Sequence, residues 1–265
     1  MNKIPAGTNS ETLWTVPELD WFSKNSYNLA ISYISSWKPH HLLRILVCCI
    51  AFIDRYPLDV AEQTSNDLSL RKMFCEFSAA TALVALARGQ DNRRLSLQDY
   101  VNLRKHVHNY DHLLQEKLPK MLPNDNPTKD LLQKLAILLA FDFEAACHLK
   151  YWDKLGEIIL KAEVCGSPRV YELMADCILS IEGPSADGLA SNLNFGRTLM
   201  RVIVLVMNLK KIVNQAWKLD SFDSIKLSKY MRCLFQIALS ENQKIAESLL
   251  GQIERLAEEA SDVSC

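Results

Sequence analysis

A stretch near the C-terminus, KLSKYMRCLFQIALSENQKIAESLL (residues 226–250), decides the fold. Its apolar residues recur every three or four positions and form one stripe along a helix: Leu227, Tyr230, Met231, Leu234, Phe235 and Ala238. A second stripe follows it: Ala246, Leu249, Leu250, Ile253, Leu256 and Ala260. Between the stripes, Ser240 and Gln243 fit a capping box, in which Ser caps the helix and Gln is its third residue. The stretch therefore predicts two antiparallel helices joined by a very short turn.

The same helical period recurs along the rest of the chain, and we find no convincing strand. Capping residues and prolines bound the other predicted helices at about 15–37, 39–56, 67–88, 96–117, 131–149, 152–165, 168–181 and 197–217. About ten helices with short connections are typical of stacked αα-hairpins. The sequence thus predicts an all-α protein, an α-solenoid of helical hairpins with degenerate tetratricopeptide-like repeats.

Domain organisation follows from the breaks in this pattern. Residues 1–14 form a polar tail, and residues 15–118 form N-terminal helical hairpins. The stretch PKMLPNDNP (119–127) contains three prolines and marks a subdomain boundary. Residues 127–260 form C-terminal helical repeats, with an atypical insert at about 184–208 that is rich in Gly, Ser and Asn at its start.

Composition narrows the class of partner. The chain has 30 basic and 31 acidic residues, so its charge does not indicate direct nucleic-acid binding. Its longest apolar runs fall far short of the ~20 residues that cross a membrane, and the N-terminus has no signal-peptide core, so we expect an intracellular protein without membrane contact. The 8 cysteines are scattered without a CxxC pair, which favours reduced, buried thiols over a disulfide framework or zinc module.

No catalytic motif is present. The sequence contains none of GxxxxGK[ST], GxGxxG, GxSxG and HExxH, and its 8 glycines leave little material for phosphate-binding loops. The best metal candidates are His108 and His112, one helical turn apart, but the sequence indicates no third ligand. We therefore predict no enzymatic activity, no catalytic or metal-binding residue and no cofactor. A helical metal-dependent enzyme that uses His108 and His112 is the alternative from another class.

Three residues of the first predicted helix are candidates for partner binding: Trp21, Tyr27 and Asn28. Aromatic side chains anchor interfaces, but they also pack between helices. Asn28 places an amide beside the Tyr27 ring, and an Asn inside a helix either faces water or bonds to a nearby backbone group. The sequence alone leaves both roles open for all three.

Six stretches, in chain order, resemble a known family: PELDWFSKNSYNLAI (17–31), LVCCIAFIDRYP (46–57), DLSLRKMFCEFSAATALVALAR (67–88), AFDFEAACHLKYWDKLGEIILKAEVC (140–165), VYELMADCILS (170–180) and KLSKYMRCLFQIALS (226–240). They resemble the C-terminal portion of the fungal meiosis- and sporulation-specific tetratricopeptide scaffold proteins of the Zip-four, or Spo-twenty-two, type. The family's proteins are much longer than this chain. Residues 184–208 depart from the family pattern.

This resemblance implies a nuclear scaffold in meiotic recombination. Such a scaffold would link crossover-promoting factors to synaptonemal complex assembly on meiotic chromosomes, and its partners would be those proteins. Self-association through exposed ends of the repeat array is a further expectation, because each hairpin of a solenoid buries its face on the next. A helical-repeat subunit of another nuclear or cytosolic complex is the alternative among binding proteins.

Overall fold

The computed structural model describes residues 14–122, 125–180, 207–219 and 223–241, and in these ranges the chain is all-α. The described ranges contain nine α-helices and no strand. The helices are α1 (Val16–Tyr33), α2 (Pro39–Ile53), α3 (Glu62–Arg88), α4 (Arg93–Lys117), α5 (Asn126–His148), α6 (Leu155–Lys161), α7 (Pro168–Ser180), α8 (207–217) and α9 (Ser224–Glu241). Short 3₁₀ turns span 118–120, 152–154 and 162–165. The predicted all-α class is confirmed.

The chain divides into two compact units, Met1–Leu122 and Pro123–Cys265. The division falls inside the proline-rich stretch 119–127. No helix in the described ranges is long and apolar enough to span a membrane.

In the N-terminal unit, the helices α1 to α4 pack in chain order, and each lies against the next. Polar contacts show that neighbours run antiparallel. Tyr56, just after α2, donates to Asp20 near the start of α1 over 3.3 Å. At the α3–α4 turn, the Ser96 hydroxyl donates to the Ala87 carbonyl oxygen over 2.9 Å. At the far end of the same pair, Nζ of Lys117 on α4 lies 3.3 Å from Oδ1 of Asn66 on α3. The predicted hairpins are therefore present in this unit.

The helix ends differ from the predicted ones where a different cap is used. Helix α1 begins with a capping box, in which the Thr15 N–H donates to the Glu18 carboxylate over 2.7 Å. Helix α4 begins three residues before Ser96, because the Asn92 side chain accepts from the Arg94 N–H over 3.0 Å and caps the helix there. Helix α1 ends at Tyr33 rather than Trp37, and α3 begins at Glu62 rather than Asp67.

Small residues let the first three helices approach closely. The buried face of α1 consists of Leu19, Ser23, Ser26 and Ala30. Helix α2 contributes the larger side chains of the core, which are Leu42, Leu46, Cys49, Ile50 and Ile53. Helix α3 packs against them with the smaller Cys75 and Ala79. Because Ser and Ala bring helix backbones together, the large side chains of the core between α1, α2 and α3 come mainly from α2.

The C-terminal unit is built on the long helix α5, which packs against α6 and α7. The single helix predicted at 152–165 is wrong: it is divided into a 3₁₀ turn, the seven-residue α6 and a second 3₁₀ turn. It ends at Gly166, whose φ of +57° is the left-handed conformation that glycine adopts without strain. Helix α8 buries Leu209, Ile212, Val213 and Ala216.

Several predictions concern residues outside the described ranges. These are the polar tail except Trp14, the insert at 184–208 except its last two residues, and the second C-terminal stripe beyond residue 241. Helix α9 continues through Ser240 to Glu241, so Ser240 is a helical residue rather than the cap of a following helix.

Two adjacent residues of α2 test this packing. Leu46 is fully buried and Val47 is 44% exposed. We expect Leu46→Ala to lower the free energy of unfolding by about 3 kcal/mol, because it removes buried methyl groups and leaves a cavity. Val47→Ala at the exposed neighbouring position should change it by less than ~0.5 kcal/mol. Urea unfolding of both variants measures this, and equal losses would contradict the assigned face of α2.

Candidate partner-binding surface

The structure places Trp21 and Asn28 on one side of α1 and Tyr27 on another. Trp21 and Asn28 are seven residues apart, about two helical turns, so they lie on the same side, opposite the buried Ser23 and Ser26. Both are exposed, and 61% of the Trp21 surface is accessible. The structure thus brings two of the three predicted residues together on an outward face.

Trp21 is held by other aromatic rings. Its ring meets Phe22 edge-on with centroids 4.9 Å apart, and Phe22 stacks on Phe52 of α2 at 5.0 Å. Trp14 packs edge-on against both phenylalanines. The Asn25 side chain donates to the Trp21 carbonyl oxygen over 2.7 Å. Trp21 is therefore the exposed outer ring of a packed aromatic group, and its position needs little ordering when a partner binds.

Tyr27 faces the interior of the N-terminal unit. Its ring packs edge-on against Phe74 of α3 with centroids 5.2 Å apart, and the Arg71 guanidinium lies 5.7 Å from the ring centre. Burial, together with the nearby Cys75, raises the pKa of Tyr27. A polar substitution of Tyr27 would consequently disturb the packing of α1 on α3 as well as any surface.

A polar network beside Tyr27 joins the first three helices. Arg71 Nη1 of α3 donates to the Ser23 hydroxyl of α1 over 3.0 Å, and that hydroxyl lies 3.4 Å from the Tyr56 hydroxyl. The Cys49 thiol of α2 donates to the Ser23 carbonyl oxygen over 3.3 Å. Cys49 also interacts with the buried Cys75 thiol, and this interaction lowers the pKa of Cys49 and raises that of Cys75. The network orients α1 on α2 and α3.

A buried carboxylate that sequence reasoning missed joins α3 to α4. Glu76 is fully buried, and its two oxygens lie 2.5 Å from His106 Nδ1 and 3.1 Å from Asn109 Nδ2. The sequence does contain a signal: Glu76 is the single charged residue between Met73 and Ala87. A carboxylate in such a run must be paired when the helix is buried, but its partner depends on how α4 is aligned.

The two histidines of the metal hypothesis lie on the outside of α4. His108 and His112 are exposed, and His112 Nδ1 lies 3.5 Å from the exposed Glu116 carboxylate. The described ranges contain no group of three His, Cys, Asp or Glu side chains that could hold a metal ion. His106, the third histidine of this helix, faces inward to Glu76.

A third polar cluster joins α7 to α9 in the C-terminal unit. The largely buried Glu172 carboxylate accepts from Arg169 Nη1 over 2.6 Å and from Lys226 Nζ of α9 over 2.8 Å. Desolvation acts to raise the pKa of Glu172, but the hydrogen bonds and charges of Lys226 and Arg169 outweigh it, so the pKa is lowered. The Tyr230 hydroxyl of α9 donates to the Asp176 carboxylate over 3.0 Å.

No protein-family model, no curated protein and no solved structure matches this chain.

The buried pair on α3 and α4 gives a test of the packing behind this surface. We expect His106→Ala to lower the free energy of unfolding by about 3 kcal/mol, because the Glu76 carboxylate loses a partner while it stays buried. The double variant His106→Ala/Glu76→Gln should recover part of that loss, since a neutral amide costs less to bury. Chemical unfolding measures both.

The exposed pair on the same helix supplies the control. His112→Ala should change the unfolding free energy by less than ~0.5 kcal/mol, because His112 and Glu116 are both solvated. A double variant that is less stable than His106→Ala alone would contradict the buried-charge interpretation.

Glu172 gives a pH-dependent prediction for the C-terminal unit. Because its pKa is lower in the folded chain, the stability that it adds is present above its unfolded pKa near 4.5 and is lost as the pH falls through the folded pKa. Glu172→Gln should therefore lower the thermal midpoint at neutral pH, and the difference from the unmodified chain should shrink in acid. Glu157→Gln, which removes the exposed Lys154 pair, is the control. A Glu172→Gln effect that is constant with pH would refute the assignment.

Proposed function

We propose that this chain is a non-enzymatic scaffold that binds other proteins through the faces of its helical hairpins. The observation that carries the proposal is Trp21, which is 61% exposed on the outward face of α1 although its ring belongs to a packed aromatic group. Tryptophan is enriched among the residues that dominate binding energy at interfaces. A large ring that is rigidly held and exposed has the properties of an interface anchor.

The packing order of the N-terminal unit supports a scaffold role. Because each of α1 to α4 lies mainly against its neighbours in sequence, every helix keeps one face outside the core. Stacked hairpins of this kind form the extended binding surfaces of α-solenoids, and we propose that architecture for the chain. Two further exposed apolar side chains of α1, Leu29 and Ile31, lie more than two helical turns beyond Trp21.

The biological setting that we propose is meiotic recombination in the nucleus. It rests on the six stretches that resemble the Zip-four type of scaffold protein, which include PELDWFSKNSYNLAI, the segment that carries Trp21 and Asn28. The partners would be crossover-promoting and synaptonemal complex factors on meiotic chromosomes. A second copy of this chain is another partner for α1, since the exposed Trp21 ring can pack against its equivalent.

Affinity purification of the full chain from meiotic cells tests this function. We expect meiotic crossover or synaptonemal complex factors to be recovered, and Trp21→Ala to reduce their recovery about tenfold, because it removes the anchor. Asn28→Gln, which moves the amide by one methylene, should reduce recovery by a smaller factor. Trp217→Ala is the matched control, since Trp217 is 41% exposed in the other unit.

Light scattering of the same variants measures self-association. If Trp21→Ala leaves both the recovered partners and the oligomeric state unchanged, α1 is not the binding surface. If the recovered proteins include no meiotic factor, the meiotic setting is wrong. The binding role of α1 is then decided separately, by whether Trp21→Ala reduces the recovery of whatever proteins bind.

A further inference from the structure

A second surface of the same hairpin has a different chemistry. An open cavity of about 490 Å³ is lined by Trp37, His41, Arg44, Ile45 and Cys48, which we call the α2 groove. Trp37 precedes α2, and His41, Arg44 and Cys48 lie away from the buried face of α2. The half-buried Ile45 lies between them and the core. Trp37 is stacked on Tyr33, with ring centroids 4.9 Å apart and planes inclined by 14°. The groove therefore has one fixed aromatic wall.

The charge around the groove is positive. The chain has no acidic residue between Asp20 and Asp54, whereas Lys38, His40, His41 and Arg44 all fall near the groove. Because α1 and α2 are antiparallel, Asp20 and Asp54 lie at the opposite end of the hairpin, where each pairs with a lysine. Desolvation and the neighbouring His41, Lys38 and Arg44 lower the pKa of His40, which reflects the same positive field.

The next helix does not neutralise this field. Helix α3 runs antiparallel to α2, so its second half lies toward the groove end of the unit. That half carries one carboxylate, Glu76, which is fully buried and bonded to His106 and Asn109. The exposed cations at the groove, Lys38 and Arg44, are thus left to attract an anionic partner.

We propose that the α2 groove binds an acidic segment of a partner protein that also presents a large apolar side chain. The proposal rests on the scaffold function and assigns to it a second surface and a class of ligand. Arg44 offers a guanidinium that can hold a carboxylate with two parallel hydrogen bonds. The Trp37 ring and Ile45 offer apolar contact to an adjacent side chain. A cavity of this volume holds a few side chains.

The lining favours such a peptide over a nucleic acid. Nucleic-acid binding proteins neutralise several phosphates, typically 6–10 for strong binding, and draw most of their affinity from those contacts. Here Lys38 and Arg44 are the permanently charged cations near the groove, and His40 becomes less basic through its neighbours. Trp37, Ile45 and Cys48 make the rest of the lining apolar, which suits a mixed acidic and apolar peptide.

The test uses the purified full chain and a fluorescein-labelled peptide of Asp and Glu residues around a central Leu-Trp pair. A peptide of the same length with Asn and Gln in place of the acids is the ligand control. We expect the acidic peptide to bind, as measured by fluorescence anisotropy, and the neutral one to bind at least tenfold more weakly. Added salt should weaken binding of the acidic peptide.

Charge reversal at one position identifies the site. Arg44→Glu should weaken the acidic peptide about tenfold or more, because it replaces attraction by repulsion. Arg94→Glu is the matched control on α4, where an exposed arginine lies outside the groove, and it should leave binding unchanged. Trp37→Ala should also weaken binding. Both Arg44 and Arg94 are exposed, so neither reversal depends on the core.

Three outcomes would overturn the proposal: equal binding of the acidic and neutral peptides, equal effects of Arg44→Glu and Arg94→Glu, or displacement of the peptide by a single-stranded oligonucleotide at lower concentration. The result also separates the two proposals. If Trp21→Ala loses its partners but the acidic peptide does not bind at the groove, the scaffold function is supported and the groove proposal fails. If the peptide binds at the groove but no meiotic partner is recovered, the groove proposal is supported and the meiotic setting is refuted.

Discussion

The buried Glu76 carboxylate is the constraint on which the arrangement of the N-terminal unit depends. A fully buried carboxylate needs partners, and α4 supplies His106 and Asn109. The observed alignment of α4 on α3 brings both partners to Glu76, so the buried carboxylate favours this register and rotation of the helix. Once His106 faces inward, His108 and His112 must face outward, because they lie about 200° and 240° around the helix from it at 100° per residue. The buried contact between Glu76 and His106 thus determines which side of α4 faces solvent.

The same turn of α3 also positions the two other helices. Arg71 bonds to Ser23 of α1, Phe74 packs against Tyr27 of α1, and Cys75 meets Cys49 of α2. Together with Glu76, these neighbouring residues of one helix touch every other helix of the unit. Since α1 is held on the side of Ser23 and Tyr27, Trp21 and Asn28 are turned outward. The candidate binding face of α1 is therefore a consequence of how α3 is packed.

The sequence predicted the existence of most helices because their apolar residues keep one period, and it failed where local chemistry competes with that period. Ser96 and Asn92 are both good caps; the structure uses Asn92, whereas the Ser96 hydroxyl donates to the Ala87 carbonyl oxygen of the previous helix. The 152–165 segment keeps an apolar period, but it breaks into short turns around α6. Trp21 and Tyr27 looked alike as aromatic residues of one helix, and which of them is exposed depends on partners from α2 and α3 that are distant in sequence.

The two outward surfaces of the first hairpin differ in what they can contribute to binding. In the proposed roles, Trp21 would supply apolar contact that slows dissociation, and the α2 groove would add a positive field that accelerates the approach of an acidic partner and rejects basic ones. Both lie on helices held by the same turn of α3, so their separation is fixed. A partner that reaches both surfaces would bind the second one from a high effective concentration, and two weak contacts would then act as one strong contact. A scaffold gains selectivity in this way, because a partner with only the apolar anchor or only the acidic segment keeps the weaker affinity of a single site.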